Sequence, residues 1–295
     1  MAVTRGVRYW IQLIAELGKI RIALLVTMSS FAGYVLSSGK IDLYVLVPTS
    51  GVFLLALGSG AINQYQERDM DGLMHRTTHR PVPAGKISEQ KALLIGFLLL
   101  LMGAFTLAVG TNLTALLLGL LTVIWYNGVY TYLKRVTALA VIPGSFIGSL
   151  PPLIGWASFQ SNIFSSQPLV LALFFFIWQI PHFWLLLLNF GSEYSKAGFP
   201  SLTNILNETQ LSRLTFMWII ATSVSVILFP LFGLGNSLIG RLLLFLLSIL
   251  LIWRSTVLLH PVKQNSPFMG AFKSINLFIL AVMVILALDR LSVLE

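Results

Sequence analysis

Asn63, Glu67 and Asp71 are spaced i, i+4, i+8. On a helix turning about 100° per residue they fall within roughly an 80° sector, so all three face one way. An amide oxygen and two carboxylates on one face form an all-oxygen donor set. Magnesium takes such donors, commonly one or two carboxylates together with the phosphates of a substrate. The stretch from Asn63 to Asp71 follows an apolar run long enough to cross a bilayer. Acids at the end of such a run are costly unless something cationic meets them. A divalent metal carrying a phosphorylated substrate would do so. The plainer alternative is a solvated helix end, its acids balanced by Arg68 and Arg76. Asp69 lies roughly opposite the shared face, as a ligand beyond a helix break or as an ion-pair partner of Arg68 or Arg76.

Other stretches could serve the same chemistry. Arg76-Thr77-Thr78-His79-Arg80-Pro81-Val82-Pro83-Ala84-Gly85-Lys86 is a loop by its two prolines and glycine. Its cations suit a diphosphate, because arginine presents a bidentate fork. They equally suit positive-inside charge and lipid headgroups. Lys134 and Arg135 close the fourth apolar run, as topology charges or as phosphate contacts. The pattern Asn63-xxx-Glu67 recurs as Asn189-xxx-Glu193 at the end of the sixth run. His182 sits beside Pro181 inside that run, where an ionisable residue is a functional candidate by default. Gly144, Gly148 and Gly155 read as close helix packing. Pro151-Pro152 should kink the fifth run and free backbone groups that must face protein or a cavity.

These residues need a membrane scaffold. The chain has 295 residues, 57% apolar and 10% charged, with no cysteine. Its mean hydropathy is +0.87. That is an all-α polytopic membrane protein, read as a single domain over residues 1–295. Disulfides and thiol catalysis are excluded, and four histidines without thiols make a His/Cys zinc site a poor reading. Nine apolar runs have spanning length, near 22–38, 44–64, 92–109, 112–131, 139–157, 169–189, 214–234, 237–253 and 271–289. With the N-terminus inside, sixteen Lys and Arg fall on the inner side, counting Arg5 and Lys263, against Lys40, Arg241 and Arg290 outside. The net charge of +9 therefore reflects topology and anionic ligands, not nucleic acid. Met1–Lys19 shows no cleavable signal, and Met1–Arg21 reads as a basic segment at the membrane surface.

The run N-Q-Y-Q-E-R-D-M-D-G-L-M-H-R-T-T-H-R-P-V-P-A-G-K-I resembles the first signature of the UbiA superfamily of intramembrane prenyltransferases. I-G-S-L-P-P-L-I-G-W (147–156), I-W-Q-I-P-H-F-W-L-L (177–186) and E-Y-S-K-A-G-F-P (193–200) resemble its protoheme-farnesylating, heme O synthase branch. The resemblance implies nine transmembrane helices bundled around a central cavity that opens toward cytoplasmic loops of a bacterial inner membrane. It implies farnesyl transfer from farnesyl diphosphate to a vinyl carbon of heme b with addition of water, dependence on Mg2+, and a downstream heme A synthase as a partner. Asn63, Glu67, Asp71 and Glu193 then fall on metal and catalytic positions. Arg68, Arg76, Arg80, Lys134, Arg135 and Lys196 are the cationic complement. His182 would orient heme, ligate its iron or act as a base. Tyr65, Tyr126, Tyr130, Phe183 and Trp184 are candidates to face a carbocation.

The chain also departs from the pattern. Glu67 and Glu193 stand where the family has Asp. Phe190, Gly191 and Ser192 replace the usual cations before the second acid, which leaves neutralisation to Lys196 or the first loop. Ile20 stands where a proline is usual. Because the first motif is shared, only 147–200 separates a heme acceptor from a quinone-precursor ring or a chlorophyll-type tetrapyrrole. A cation-coupled transporter is the alternative from another class. Acids gathered at one face, not at the midplane, favour the enzyme.

Overall fold

The structure, a computed structural model, describes residues 6–260 and 268–292. Arg5 and Lys263 lie outside the described residues. Among the rest, order is helical throughout: α1 (Val7–Leu17), α2 (Ile20–Ser38), α3 (Leu46–Gln66), α4 (Arg68–Asp71), α5 (Glu89–Gly110), α6 (Leu113–Val123), α7 (Thr131–Leu133), α8 (Val141–Phe159), α9 (Ser166–Lys196), α10 (Glu208–Ile227), α11 (Leu238–Ser255) and α12 (Phe268–Ser292). Nine segments among the described residues are long and apolar enough to cross a membrane. Each overlaps one of the nine apolar runs read from the sequence.

Three details differ from the sequence reading, each for a physical reason. The segment read as a basic surface stretch contains a helix, α1. It buries Leu13 and Leu17 while Val7 and Ile11 stay exposed. Apolar run length cannot mark an element whose apolar residues occupy only one face. The sixth run continues as helix to Lys196, beyond its apolar end near 189. Hydropathy stops marking a helix where it leaves the apolar layer, whereas backbone hydrogen bonding does not stop there. The fourth span is not a uniform α-helix. A π-helical stretch, Ile124–Tyr130, lies between α6 and α7. Such insertions are rare and concentrate at functional sites.

Helix association in lipid draws on close packing more than on apolar burial, so small residues set the seams. A side chain on Gly33 would place its Cβ 2.0 Å from the Pro152 carbonyl oxygen, and one on Gly155 would stand 1.8 Å from that of Ser30. α2 and α8 therefore touch backbone to backbone. α8 stays helical through Pro151 and Pro152, and α2 supplies some of its polar partners: Ser37 Oγ donates to the Trp156 carbonyl at 3.0 Å. Among the described residues two apolar cores are the largest. One joins α3, α5, α6 and α8 around Leu55, Leu107 and Leu153. The other joins α9 to α12 around Phe174, Phe229 and Phe278. Asn63, Glu67, Asp71 and Glu193 lie at or just beyond the ends of α3 and α9.

Candidate active site

α3 ends at Gln66, and Glu67 leaves helical geometry with φ −105° and ψ 4°. The break is local. The Glu67 amide still donates to the Asn63 carbonyl at 2.9 Å, and the Asp71 amide to the Glu67 carbonyl at 2.8 Å. The i, i+4, i+8 spacing thus survives, and Asn63, Glu67 and Asp71 are buried, none more than 5% exposed. Asp69 points outward, with its side chain 84% exposed and 3.9 Å from Arg68. Of the two roles read for it, the ion-pair partner is the one realised.

The π-helical stretch orients Asn63. The Thr131 hydroxyl donates to the Tyr126 carbonyl at 2.9 Å. Its oxygen accepts from Asn63 Nδ2 at 3.1 Å, which turns Asn63 Oδ1 away from Thr131. The ammonium of Lys19 donates to that oxygen at 2.5 Å. Lys19 is carried there by the α1–α2 junction, where a Cβ on Gly60 would stand 2.6 Å from the Gly18 carbonyl oxygen. Gln64 Nε2 fastens the junction, donating to the carbonyls of Glu16 and Leu17 at 2.8 and 2.9 Å. Lys19 itself adopts a left-handed backbone, φ 56° and ψ 53°.

Each of the three donors therefore meets a cation. Lys19 meets Asn63, Lys134 meets Glu67, and Arg80 meets Asp71 at 2.6 Å. Burial pushes the Lys19 ammonium down to about 7; Arg80 adds to the shift, Asp71 opposes it and Arg76 adds again. Burial, then Lys19 and Arg135, hold Lys134 well below its usual value. Crowded cations of this kind gain from an anionic ligand, which would restore their charge.

The end of α9 faces this group. The Arg76 amide donates to Glu193 Oε2 at 3.1 Å, and its guanidinium donates to Tyr194 Oη at 3.1 Å. That guanidinium also lies over the Phe190 ring, 5.4 Å from its centroid. The phenylalanine standing in place of the expected cation thus carries one from the first loop. Asn189 turns back, donating to the Leu185 carbonyl of its own helix at 2.6 Å.

Several expected residues are placed elsewhere. Arg68 pairs with Glu89 at 2.9 Å and covers the Tyr65 ring. Arg135 donates to the Gln66 carbonyl and lies over Tyr132. Lys196 is exposed. Sequence reasoning assigned no site role to Lys19, Thr131 or Tyr194. A lysine before a full-length span beside a glycine is a faint signal, and the other two are visible only across helices.

Aromatic rings lead inward from Lys134, which lies 5.5 Å from the Tyr130 centroid. Tyr130 stacks on Tyr126 at 6.1 Å and meets Phe183 at 6.2 Å. Phe183 meets His182 edge to face at 5.7 Å. Tyr65 and Trp184 stand apart from this track, the latter packed against Trp218 at 6.1 Å. His182 Nδ1 lies 2.9 Å from Asn276 Oδ1.

The donor set fits a hard divalent cation: one amide oxygen and the carboxylates of Glu67 and Asp71, with Glu193 across the gap. Buried Glu67 Oε1 faces the Lys134 ammonium. Among the described residues no three His, Asp or Glu side chains converge as a complete cage. Magnesium is commonly held by one or two carboxylates plus substrate phosphates, not by a dedicated protein cage.

Comparison with known proteins gives a consistent picture. The profile of the UbiA prenyltransferase family matches residues 26–285. A protoheme IX farnesyltransferase of Nitratidesulfovibrio vulgaris is 33% identical over 280 residues, 95% of this chain and 96% of its own. A digeranylgeranylglyceryl phosphate synthase has a similar fold, with a TM-score of 0.77 at 17% identity, covering 96% of this chain and 99% of its own. A UbiA homolog from Archaeoglobus fulgidus, bound to DMAPP and Mg2+, has a TM-score of 0.69 at 14% identity, covering 95% and 99%.

Proposed function

This chain belongs to the UbiA prenyltransferase family, and from that premise we propose that it transfers a farnesyl group from farnesyl diphosphate to a vinyl group of heme b, giving heme O. The observation that carries the reading is the end of α3, where a buried oxygen donor set and Lys19, Lys134 and Arg80 meet beside a track of rings ending at His182. The 33% identity to a protoheme IX farnesyltransferase over nearly the whole chain supports the acceptor.

The residues suit each stage. Arg80, Lys134, Lys19 and Arg76 hold the diphosphate and stabilise the charge that grows on it as the C1–O bond breaks. Asn63, Glu67, Asp71 and Glu193 would hold Mg2+, which when bound neutralises further leaving-group charge. Tyr126, Tyr130 and Phe183 flank the path of the allylic cation, and ring faces attract a cation. The vinyl π electrons form the new carbon–carbon bond at C1. Water then adds at the carbon next to the porphyrin and loses a proton. Farnesyl diphosphate, heme b and water thus give heme O, diphosphate and a proton. The whole chain acts as one domain, a multi-pass protein of a bacterial cytoplasmic membrane. The lysine and arginine bias puts the N-terminus and the α3 and α9 ends at the cytoplasmic face, and a heme A synthase is the natural consumer of the product.

Expression in a strain lacking heme O synthase, with chromatography and mass measurement of extracted hemes, tests the reading. A farnesylated heme is expected. Unchanged heme b alongside a prenylated quinone precursor would overturn the acceptor.

A further inference from the structure

His182 is clamped in a way that the diphosphate end does not require. Its ring lies between Trp178 and Phe272, each centroid 4.9 Å away with planes tilted by 40°. Trp178 Nε1 donates to the Ile275 carbonyl on α12 at 3.1 Å, so α9 and α12 are fixed together one turn from the histidine. On α12, Asn276 Nδ2 donates to the Phe272 carbonyl at 2.7 Å. A carbonyl can only accept, so this bond decides which end of the amide is nitrogen. Asn276 Oδ1 is then the atom facing His182 Nδ1 at 2.9 Å, and an amide oxygen can only accept. Nδ1 therefore carries the proton, and in the neutral ring Nε2 is a bare lone pair. Turning the ring over would set a carbon against Asn276 and forfeit the bond, while the flanking rings resist the motion. Among the described residues no hydrogen bond engages Nε2.

We propose that Asn276 is a positioning residue for the acceptor: it holds His182 as the Nδ1–H tautomer and thereby presents Nε2 as a ligand to the acceptor's iron. The iron as target rests on the heme reading above; the tautomer does not. Metal-binding histidines characteristically donate their other ring nitrogen to a carbonyl or carboxylate, and loss of that partner costs about 10- to 100-fold in metal affinity or activity. A polar residue inside a spanning helix is explained by such a bond, and sequence patterning alone gives Asn276 no such role.

The test uses the full-length protein in detergent. With 15N-labelled histidine, NMR should show His182 protonated at Nδ1, its signal assigned by loss in His182→Gln. Asn276→Leu should shift the ring toward the Nε2–H form, and Asn276→Asp, which keeps an acceptor oxygen, should hold it. Heme b titrated by absorbance should bind about 10- to 100-fold more weakly to the Leu variant, with affinity returning in the Asp variant. Farnesyl diphosphate affinity should be unchanged in both. An Nε2–H ring in the unmodified protein, or equal heme affinity in all three proteins, would overturn the assignment. If NMR gives the expected tautomers but heme b leaves no histidine-ligated spectrum, the iron is the wrong target for Nε2, while the acceptor reading stands or falls separately on the hemes extracted from the complemented strain.

Discussion

The ends of α3 and α9 carry the same short pattern, an asparagine and an acid four residues apart, yet the two are built differently. At α3 both side chains are buried and answered from other helices: Asn63 by Thr131 and Lys19, Glu67 by Lys134. At α9 the asparagine bonds its own helix, and the half-buried acid takes one backbone amide from the first loop. The difference lies in what crosses each helix end. The π-helical stretch and the α1–α2 junction both press on α3, whereas α9 runs on past its apolar segment to Lys196. A shared spacing thus becomes a dense, pre-charged site in one place and a docking point for Arg76 in the other.

That asymmetry can be broken by substitution, beginning with the strongest expected effect. Asp71→Asn removes the buried charge that Arg80 faces. Single-turnover farnesyl transfer should fall by about 10³-fold, the scale on which one pre-organised electrostatic contact acts. Lys19→Met should leave turnover at saturation less affected and raise KM for farnesyl diphosphate by about 10- to 100-fold, as expected for one charged hydrogen bond of about 1.5–3 kcal/mol. Steady-state kinetics over a diphosphate series would measure it. Glu193→Gln still accepts from the Arg76 amide, so a loss of about tenfold or less is expected in the same assay, as one net hydrogen bond is worth about 0.5–1.5 kcal/mol. Equal losses in Asp71→Asn and Glu193→Gln would show that the two ends act alike after all.

Much of this is readable in the sequence. Runs of spanning length and a one-sided cation distribution specify nine helices because lipid leaves the backbone few alternatives. Asn63, Glu67 and Asp71 were legible because helical spacing is a local property. Arg80 and Lys134 were legible as cations near the acids, though their individual partners were not. In the sequence Lys19 reads only as a topology charge. Its contact with Asn63 spans 44 positions, and nothing local announces it. Arg68, Arg135 and Lys196 illustrate the converse: nearness in sequence placed them with the acids, while the turn of each helix sends them elsewhere. The π-helical stretch has no hydropathy signature, so the route by which Thr131 aims Asn63 stayed hidden.

Lys19 is the only non-glycine residue with positive φ among those described. For an L-residue that backbone costs on the order of 1–2 kcal/mol. Glycine would occupy the same geometry without strain, and asparagine would tolerate it. A search for thermostable variants would therefore find this position attractive, and the variants it returned would be sturdier membrane proteins with a weakened grip on diphosphate. Stability and activity draw on the same residue in opposite directions here, so consensus or stability-guided redesign of this chain should hold position 19 fixed.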